Sequence, residues 1–290
     1  MELTKYQIYI VGGYVRDKLL GIKSNDIDFC FVCLDNHKNL SIEDGFQIMK
    51  EWLINEGFTI FLETPSMVTI RAKIPSKLQF LEYDGLTADF VLARKEISYD
   101  DNSRQPIVTL GTLEDDLIRR DFTVNAMAMD LHGNIIDLFG GIEDLNNKIL
   151  KTPRDAKLTM MDDPLRILRA LRFCVTKQFA IDPTIINAIL QQNIQDKLFT
   201  VVSQDRIREE LTKMFKYSTS RTLRLIYKLD RIAPTTLMDR LFQNGLWLKV
   251  LSCLTKLPLT NLIQKWSQPK QLLSYKCRHY TLVLLKRIHF

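Results

Sequence analysis

Residues 8–33 read IYIVGGYVRDKLLGIKSNDIDFCFVC. Ile8–Val11 and Ile27–Cys33 are short β-rich runs, and Tyr14–Leu20 between them has helical spacing. The paired glycines Gly12-Gly13 fall where the first strand gives way to the helix. There, backbone N–H groups can approach a phosphate and the helix dipole favours negative charge. Asp26 and Asp28 stand two apart at the start of the second strand, so they project from one face. Two carboxylates on one face of a strand otherwise made of Ile, Phe, Cys and Val are costly unless cations neutralise them. Mg²⁺ suits such a pair, since it takes one or two protein carboxylates and completes its shell with phosphate and water. The plainer alternative is that Asp26 ends the turn after Gly21 and Asp28 faces solvent. Cys30 and Cys33 form a C-x-x-C pair, but positions three apart on a strand point to opposite faces, which speaks against a shared metal.

Working outward, Phe58–Leu62, Val68–Ile74, Ala88–Ala93 and Ala126–Leu131 also read as strands, and Ile42–Asn55 as a helix. From about Thr152 the strand signals stop. Helices are expected near 164–177, 183–195, 203–216 and 220–229; Asp163-Pro164 and Asp182-Pro183 each place an N-cap acid before a proline at the first helical position. After residue 230, Pro234, Pro258 and Pro269 punctuate apolar and basic stretches that read as short helices. The expected organisation is an α/β head with a mixed sheet over 1–150, a helical neck over 151–217 and a short basic helical body over 218–290.

With 290 residues and 46% apolar composition, the chain can bury a core in each of two or three units. No apolar run approaches the roughly 20 residues that span a bilayer, and the N-terminus lacks the pattern of a signal peptide, so no membrane partner is expected and the expected address is the cytoplasm or an equivalent interior. Five cysteines are an odd number spread thinly, which fits reduced thiols. Residues 1–150 carry 15 Lys+Arg against 24 Asp+Glu, and the rest of the chain 25 against 10. An acidic first half joined to a basic second half suggests carboxylates that hold metal and a surface that meets a polyanion, with compositional scatter as the alternative.

Two further groups carry chemistry. Arg119, Arg120, Asp121 and Asn125 offer guanidinium forks for a triphosphate and polar groups for a ribose, although a surface salt-bridge cluster has the same composition. Asp163 and Arg166 lie one turn apart at a helix start and can reach one point in space. A carboxylate there accepts from an exocyclic amino group while the guanidinium donates to the adjacent ring nitrogen. That pattern exists on cytosine and adenine and is absent from uracil and guanine. The alternative is a plain helix cap with arginines on a wet face.

Gly-Gly-x-x-Arg-Asp-x-Leu-Leu-Gly at 12–21 followed by Asp26-x-Asp28 resembles motif A of the class II tRNA nucleotidyltransferase and bacterial poly(A) polymerase family, within the polymerase-beta-like superfamily. Arg119-Arg120-Asp121-Phe122-Thr123-Val124-Asn125-Ala126 is similar to its R-R-D-F-T-[IV]-N-A block. Asp162-Asp163-Pro164-Leu165-Arg166, continuing through Arg169 to Arg172-Phe173, is similar to its E-D-P-x-R helix, with Asp162 where Glu is usual. Ser203-Gln204-Asp205-Arg206-Ile207 with Glu210-Leu211 is a weaker match to S-x-E-R-I-x-x-E-L. The blocks fall in family order over roughly residues 8–230.

The resemblance implies nucleotide addition to an RNA 3′ end. Asp26 and Asp28 would hold two Mg²⁺ ions, and Asp89, with Glu82 and Asp84 nearby, would be a third catalytic acid. Gly12, Gly13, Arg16, Arg119, Arg120, Asp121, Asn125, Asp163, Arg166, Arg169 and Arg172 would contact CTP or ATP, and the basic half would grip the acceptor end of tRNA. The loop Asp101-Asn102-Ser103-Arg104-Gln105-Pro106 resembles a D-G-R-R-P-type loop that enzymes adding only CC lack, which leaves CCA addition, A addition and poly(A) synthesis open. Family members are usually longer, which implies a reduced RNA-gripping region. An inert RNA-binding relative is the rival from another class, and the intact Asp26 and Asp28 speak against it. A metallohydrolase is the weaker rival, since His37, His132, His279 and His289 are scattered and none adjoins an aspartate.

Overall fold

The structure, a computed structural model, describes residues 6–34, 40–76, 83, 85–99, 106–232 and 237–241. The expected loop at Asp101–Gln105, the candidate acids Glu82 and Asp84, and the stretches around Pro234, Pro258 and Pro269 lie outside these residues. The chain forms two compact units, Met1–Arg166 with Phe179–Ile189, and Ile167–Gln178 with Leu190–Phe290.

The first unit is built on a seven-stranded mixed sheet. It contains β1 (Tyr6–Val11), β2 (Ile27–Cys33), β3 (Thr59–Thr64), β4 (Thr69–Lys73), β5 (Thr87–Leu92), β8 (Met127–Met129) and β9 (Ile135–Asp137), in the order β3-β4-β5-β2-β1-β8-β9. Between β5 and β8 run β6 (Arg94–Tyr99) and β7 (Pro106–Leu110), an antiparallel pair outside that sheet. Among the described residues of the main sheet only β2 and β5 run parallel, and they place Asp28 opposite Asp89. β2 is central, and its alternation explains both layers. Phe29 and Phe31 point to one face, where the Phe29 and Phe90 rings stack with centroids 4.7 Å apart. Trp52 from α2 (Ile42–Asn55) closes over Phe31 and Phe90. Truncating a buried ring such as Phe29 to alanine costs roughly 3–5 kcal/mol.

The other face carries Asp28, Cys30 and Val32. Cys30 and Val32 pack with Val11, Ala93, Ala126, Ala128 and Leu117, the last from α3 (Leu113–Ile118). The two cysteines are split between the faces, with Cys30 buried and Cys33 half-buried. Helix α3 was not foreseen, being six residues long and started by a capping box of Thr112 with Asp115. The strand expected over Ala126–Leu131 is shorter at both ends. Thr123–Asn125 forms a 3₁₀ turn before it, and the Asp130 carboxylate accepts from the N–H groups of His132 and Asn134 to turn the chain after it.

The rest of this unit comprises α1 (Gly13–Leu19), α4 (Gly141–Asn147), α5 (Ala156–Asp162), α7 (Pro183–Ile189) and the short parallel pair β10 (Ile149–Leu150) with β11 (Ala180–Ile181). Helix α6 (Leu165–Lys177) starts in it.

The second unit is helical. It holds the remainder of α6 with α8 (Gln192–Val201), α9 (Gln204–Ile232) and α10 (Leu237–Leu241). The helix expected over 183–195 is two helices, α7 and α8, separated at Leu190 and Gln191; the backbone of Gln191 is extended (φ −77°, ψ 124°). The two helices expected over 203–216 and 220–229 are present as the two halves of α9, meeting at Ser218, whose backbone is extended and whose Oγ accepts from Arg221 N–H to start the second half. Among the described residues no helix is long and apolar enough to cross a membrane.

Candidate active site

The site begins at Gly12, between β1 and α1. Its backbone has φ 77° and ψ −134°, a conformation that L side chains rarely adopt. A Cβ there would lie 2.7 Å from Arg120 Nη1 and 3.6 Å from Asp28 Oδ2. Gly12, Asp28 and Arg120 therefore converge on one spot, with the glycine leaving the space between guanidinium and carboxylate. Asp28 is half-buried and its carboxyl is pushed up to about 6; burial is the main cause, Arg120 opposes it, and the charges of Asp26, Asp89 and Asp116 add to it. Asp26 is exposed and stands just before β2.

Asp116 holds this cluster in place, and the sequence reading missed it. It is fully buried on α3 and salt-bridged to both Arg119 and Arg120; Arg120 Nε and Nη2 donate to its Oδ2 at 3.1 and 2.8 Å. Burial alone would raise its carboxyl, but the Arg119 and Arg120 guanidiniums hold it well below the usual carboxylate range. The available clue was spacing, since an acid three and four residues before an arginine pair on a helix faces both.

Arg16, Asp121 and Asn125 form a second, internal network. Arg16 is buried and grips Asp17 with Nε and Nη2, each at 2.9 Å, while its Nη1 donates to Asn125 Oδ1. Asn125 Nδ2 and the Phe122 N–H both donate to Asp121 Oδ1, at 2.9 and 2.8 Å. These three side chains bind α1 to the Arg119–Ala126 block. Thr123 and Lys151 fasten the same block to α4 through the buried Asp144, each at 2.7 Å. Gly13 adjoins the Arg16 guanidinium, at van der Waals distance from where a Cβ would be.

At the start of α6, Asp163 Oδ1 accepts from Leu165 N–H at 3.1 Å. The Arg166 guanidinium donates to the carbonyls of Thr159 (3.1 Å) and Arg119 (2.5 Å), joining this turn to the arginine block. Asp162 is engaged by Arg154. Arg169 is half-buried on α6, within the second unit. Arg172, in the same unit, donates from Nε to the buried Glu210 of α9 at 2.6 Å, and its guanidinium sits over the Phe173 ring. Asp89 is tied by Arg71 of β4 through Nε–Oδ1 (2.6 Å) and Nη2–Oδ2 (2.5 Å).

Among the described residues no three His, Cys, Asp or Glu side chains form a group that could hold a metal ion. Asp26 and Asp28 alone are two hard oxygen donors, a set that would leave most of a Mg²⁺ shell to phosphate and water.

An aspartate on the central strand with a second just before it, a glycine turn beside it and a clamped arginine fit a nucleotidyltransferase head. A family model described as the poly A polymerase head domain matches residues 8–151. The tRNA nucleotidyltransferase cca2 of Schizosaccharomyces pombe is 34% identical to this chain over 232 residues, 78% of this chain and 47% of that protein. The CCA-adding enzyme of Lactobacillus helveticus is 34% identical over 215 residues, covering 74% and 47%. The crystal structure of the Bacillus stearothermophilus CCA-adding enzyme in complex with CTP matches with a TM-score of 0.59 at 30% identity, covering 77% of this chain and 48% of that one. The chain belongs to the class II tRNA nucleotidyltransferase and poly(A) polymerase family, whose members are metal-dependent nucleotidyltransferases. It spans about half the length of the curated relatives it matches.

Proposed function

We propose that the chain is a template-independent RNA nucleotidyltransferase that adds CCA, or the terminal A, to the 3′ end of a tRNA from CTP and ATP, releasing pyrophosphate. The observation that carries this reading is the convergence of Gly12, Asp28 and Arg120 on one spot. The glycine gives a phosphate room to approach the backbone, and Arg120, fixed by Asp116, supplies a positive charge that needs no reorganisation when negative charge builds up. Asp26 and Asp28 would hold Mg²⁺, and the metal when bound would supply activation of the RNA 3′-hydroxyl and charge compensation for the departing pyrophosphate.

Asp163 and Arg166 read the incoming base. Two of the five Arg166 N–H groups are committed to the Thr159 and Arg119 carbonyls, which fixes the plane in which the guanidinium meets a base edge. Arg119, Arg169 and Arg172 complete the nucleotide contacts. Arg16, Asp121 and Asn125 support them from within the fold, a role that follows from their burial. The head spans 1–150, the base-reading neck 151–217 and the RNA-binding body 218–290, and the body meets tRNA through its phosphates. The free thiols of Cys30, Cys33 and Cys174 suit the cytoplasm or an organelle interior.

The test is incubation of the protein with labelled CTP or ATP, Mg²⁺ and tRNA lacking its 3′ terminus. Addition of C, C and A in order supports the reading. Addition of A alone to a CC end, or of a long A tract, identifies the two alternative activities within the family. No incorporation under any of these conditions overturns the reading.

A further inference from the structure

The turn that carries Asp163 lies at a break between two helices of the chain. Helix α5 ends at Asp162, the backbone of Asp163 is extended (φ −135°, ψ 94°), and Pro164 has no N–H with which to continue the helical ladder. The placing of the Asp163 carboxylate therefore depends on side chains that hold the turn from outside. On one side stands Arg166, whose guanidinium donates to the carbonyls of Thr159 in α5 and of Arg119. On the other stands Arg154, whose Nη2 grips the carboxylate of Asp162, the residue immediately before Asp163. Arg154 belongs to none of the sequence motifs.

Arg154 is itself well anchored. Its carbonyl accepts from Thr152 Oγ1 at 2.6 Å, and the next residue, Asp155, caps α5 by accepting from Leu158 N–H at 2.8 Å. Just upstream, the Lys151 carbonyl accepts from Thr123 N–H at 2.9 Å, which fastens this stretch to the Arg119–Ala126 block. Arg154 thus joins the residue before the N-cap of α5 to the last residue of that helix. Its side chain is 29% exposed and that of Asp162 15%, so water screens the pair only in part. The buried Nε of Arg154 makes no hydrogen bond among the described residues, so the grip on Asp162 is single-pronged and one that a lysine ammonium can reproduce.

We propose that Arg154 is a positioning residue for base selection. By holding Asp162 it fixes the turn that presents Asp163, and so sets how strictly UTP and GTP are refused. The inference rests on the base-reading role proposed above for Asp163 and Arg166, and Arg154 acts through the turn rather than on the base.

The test compares Arg154→Met, Arg154→Lys, Asp162→Asn and the double variant Arg154→Met/Asp162→Asn with wild type. Equilibrium binding of each of the four nucleoside triphosphates is measured beside kcat and KM for their incorporation, and each protein is melted. Arg154→Met and Asp162→Asn should each lower the preference for CTP and ATP over UTP and GTP about tenfold, part of what the base contact itself is worth. The kcat for CTP should stay within about threefold, because the groups around Asp28 are untouched. Arg154→Lys should recover most of the preference. The double variant should be no worse than the worse single variant, because the pair acts as a unit.

A pair that only stabilises α5 predicts earlier melting with unchanged nucleotide preference. A preference within about twofold of wild type in both Arg154→Met and Asp162→Asn, measured well below their melting temperatures, overturns the inference. So does an Arg154→Lys protein as relaxed as Arg154→Met. Asp162→Asn keeps the shape of the turn, so the comparison survives a folding defect in Arg154→Met. Wild type that bound all four nucleotides alike would refute the base-reading function itself, whereas a preference for C and A shared by wild type and the variants would refute only the role of Arg154.

Discussion

Asp28→Asn is expected to make the metal-free protein more stable while removing its activity. The carboxyl of Asp28 sits at about 6 against an ordinary 3.8. Its folded-state value is raised, so the folded state holds the proton more tightly than the unfolded chain does. Stability is unaffected below the unfolded value, declines as pH rises from about 4 to about 6, and stays lowered above that. At about 1.4 kcal/mol per pH unit the full cost is on the order of 3 kcal/mol at neutral pH. Asparagine, of the same shape and without charge, removes it, so at pH 7.5 in EDTA the variant should unfold about 3 kcal/mol later in urea. At pH 4 the two proteins should be alike. Millimolar Mg²⁺ should raise the stability of wild type and leave the variant unmoved, since only wild type keeps both proposed ligands. Nucleotide addition by the variant should fall to background. A variant no more stable than wild type at pH 7.5, or a gap that persists unchanged at pH 4, would refute the argument that burial and like charge oppose ionisation there.

Other perturbations test other parts of the site. Gly12→Ala forces a side chain into φ 77° and within 2.7 Å of Arg120 Nη1; the strain costs about 1–3 kcal/mol, and the displaced guanidinium should lower kcat by at least tenfold, checked by kinetics beside a melt. Asp116→Asn leaves two arginines without their buried partner and should cost about 3–5 kcal/mol together with most activity, read by urea unfolding. Because Asp116 is held below the usual carboxylate range, its contribution in wild type should persist down to about pH 4 and be lost only in stronger acid. Arg166→Ala should relax discrimination against UTP and GTP by about 1–3 kcal/mol and also lower the melting temperature, since the carbonyls of Thr159 and Arg119 lose their donor. Asp163→Ala should do the same through the base contact and the lost helix cap; retained preference for C and A in both variants would reduce Asp163-Pro164 to a helix start.

Much of the head was legible because local pattern and tertiary demand agree there. Ile27–Cys33 reads as a strand and is one, with the alternation of Phe29 and Phe31 against Asp28 and Cys30 that separates core from site. Ile42–Asn55 reads as a helix and is one, opened by Ser41 and Asp44 in a capping box. What the sequence hid has two physical sources. Short elements such as α3 and α4 are too brief for periodicity to register, and the split between α7 and α8 contains no Gly or Pro to mark it. Partnerships between distant residues leave no local trace. Arg16 and Asn125 are 109 positions apart, and nothing at either reveals that the arginine's donors are spent inside the protein. Arg71 sits on an unremarkable strand until the register of β4 on β5 sets it beside Asp89.

The arginines of the two units divide by what holds them. A guanidinium held by an acid is fixed more firmly the deeper that acid is buried. Asp116 is fully buried and serves Arg119 and Arg120 next to Asp28, where displacement by a few tenths of an ångström would matter most. Glu210, also buried, serves Arg172. Asp89 is partly exposed and holds Arg71 on the neighbouring strand β4. Arg166 is anchored differently, by two neutral carbonyls, which orient its plane without cancelling its charge. That choice suits a residue whose task is to present donors to a base edge. Placing an acid against it would strengthen the anchor and weaken the attraction to a ring nitrogen, so the carbonyl anchoring of Arg166 fits the base-reading role proposed for it.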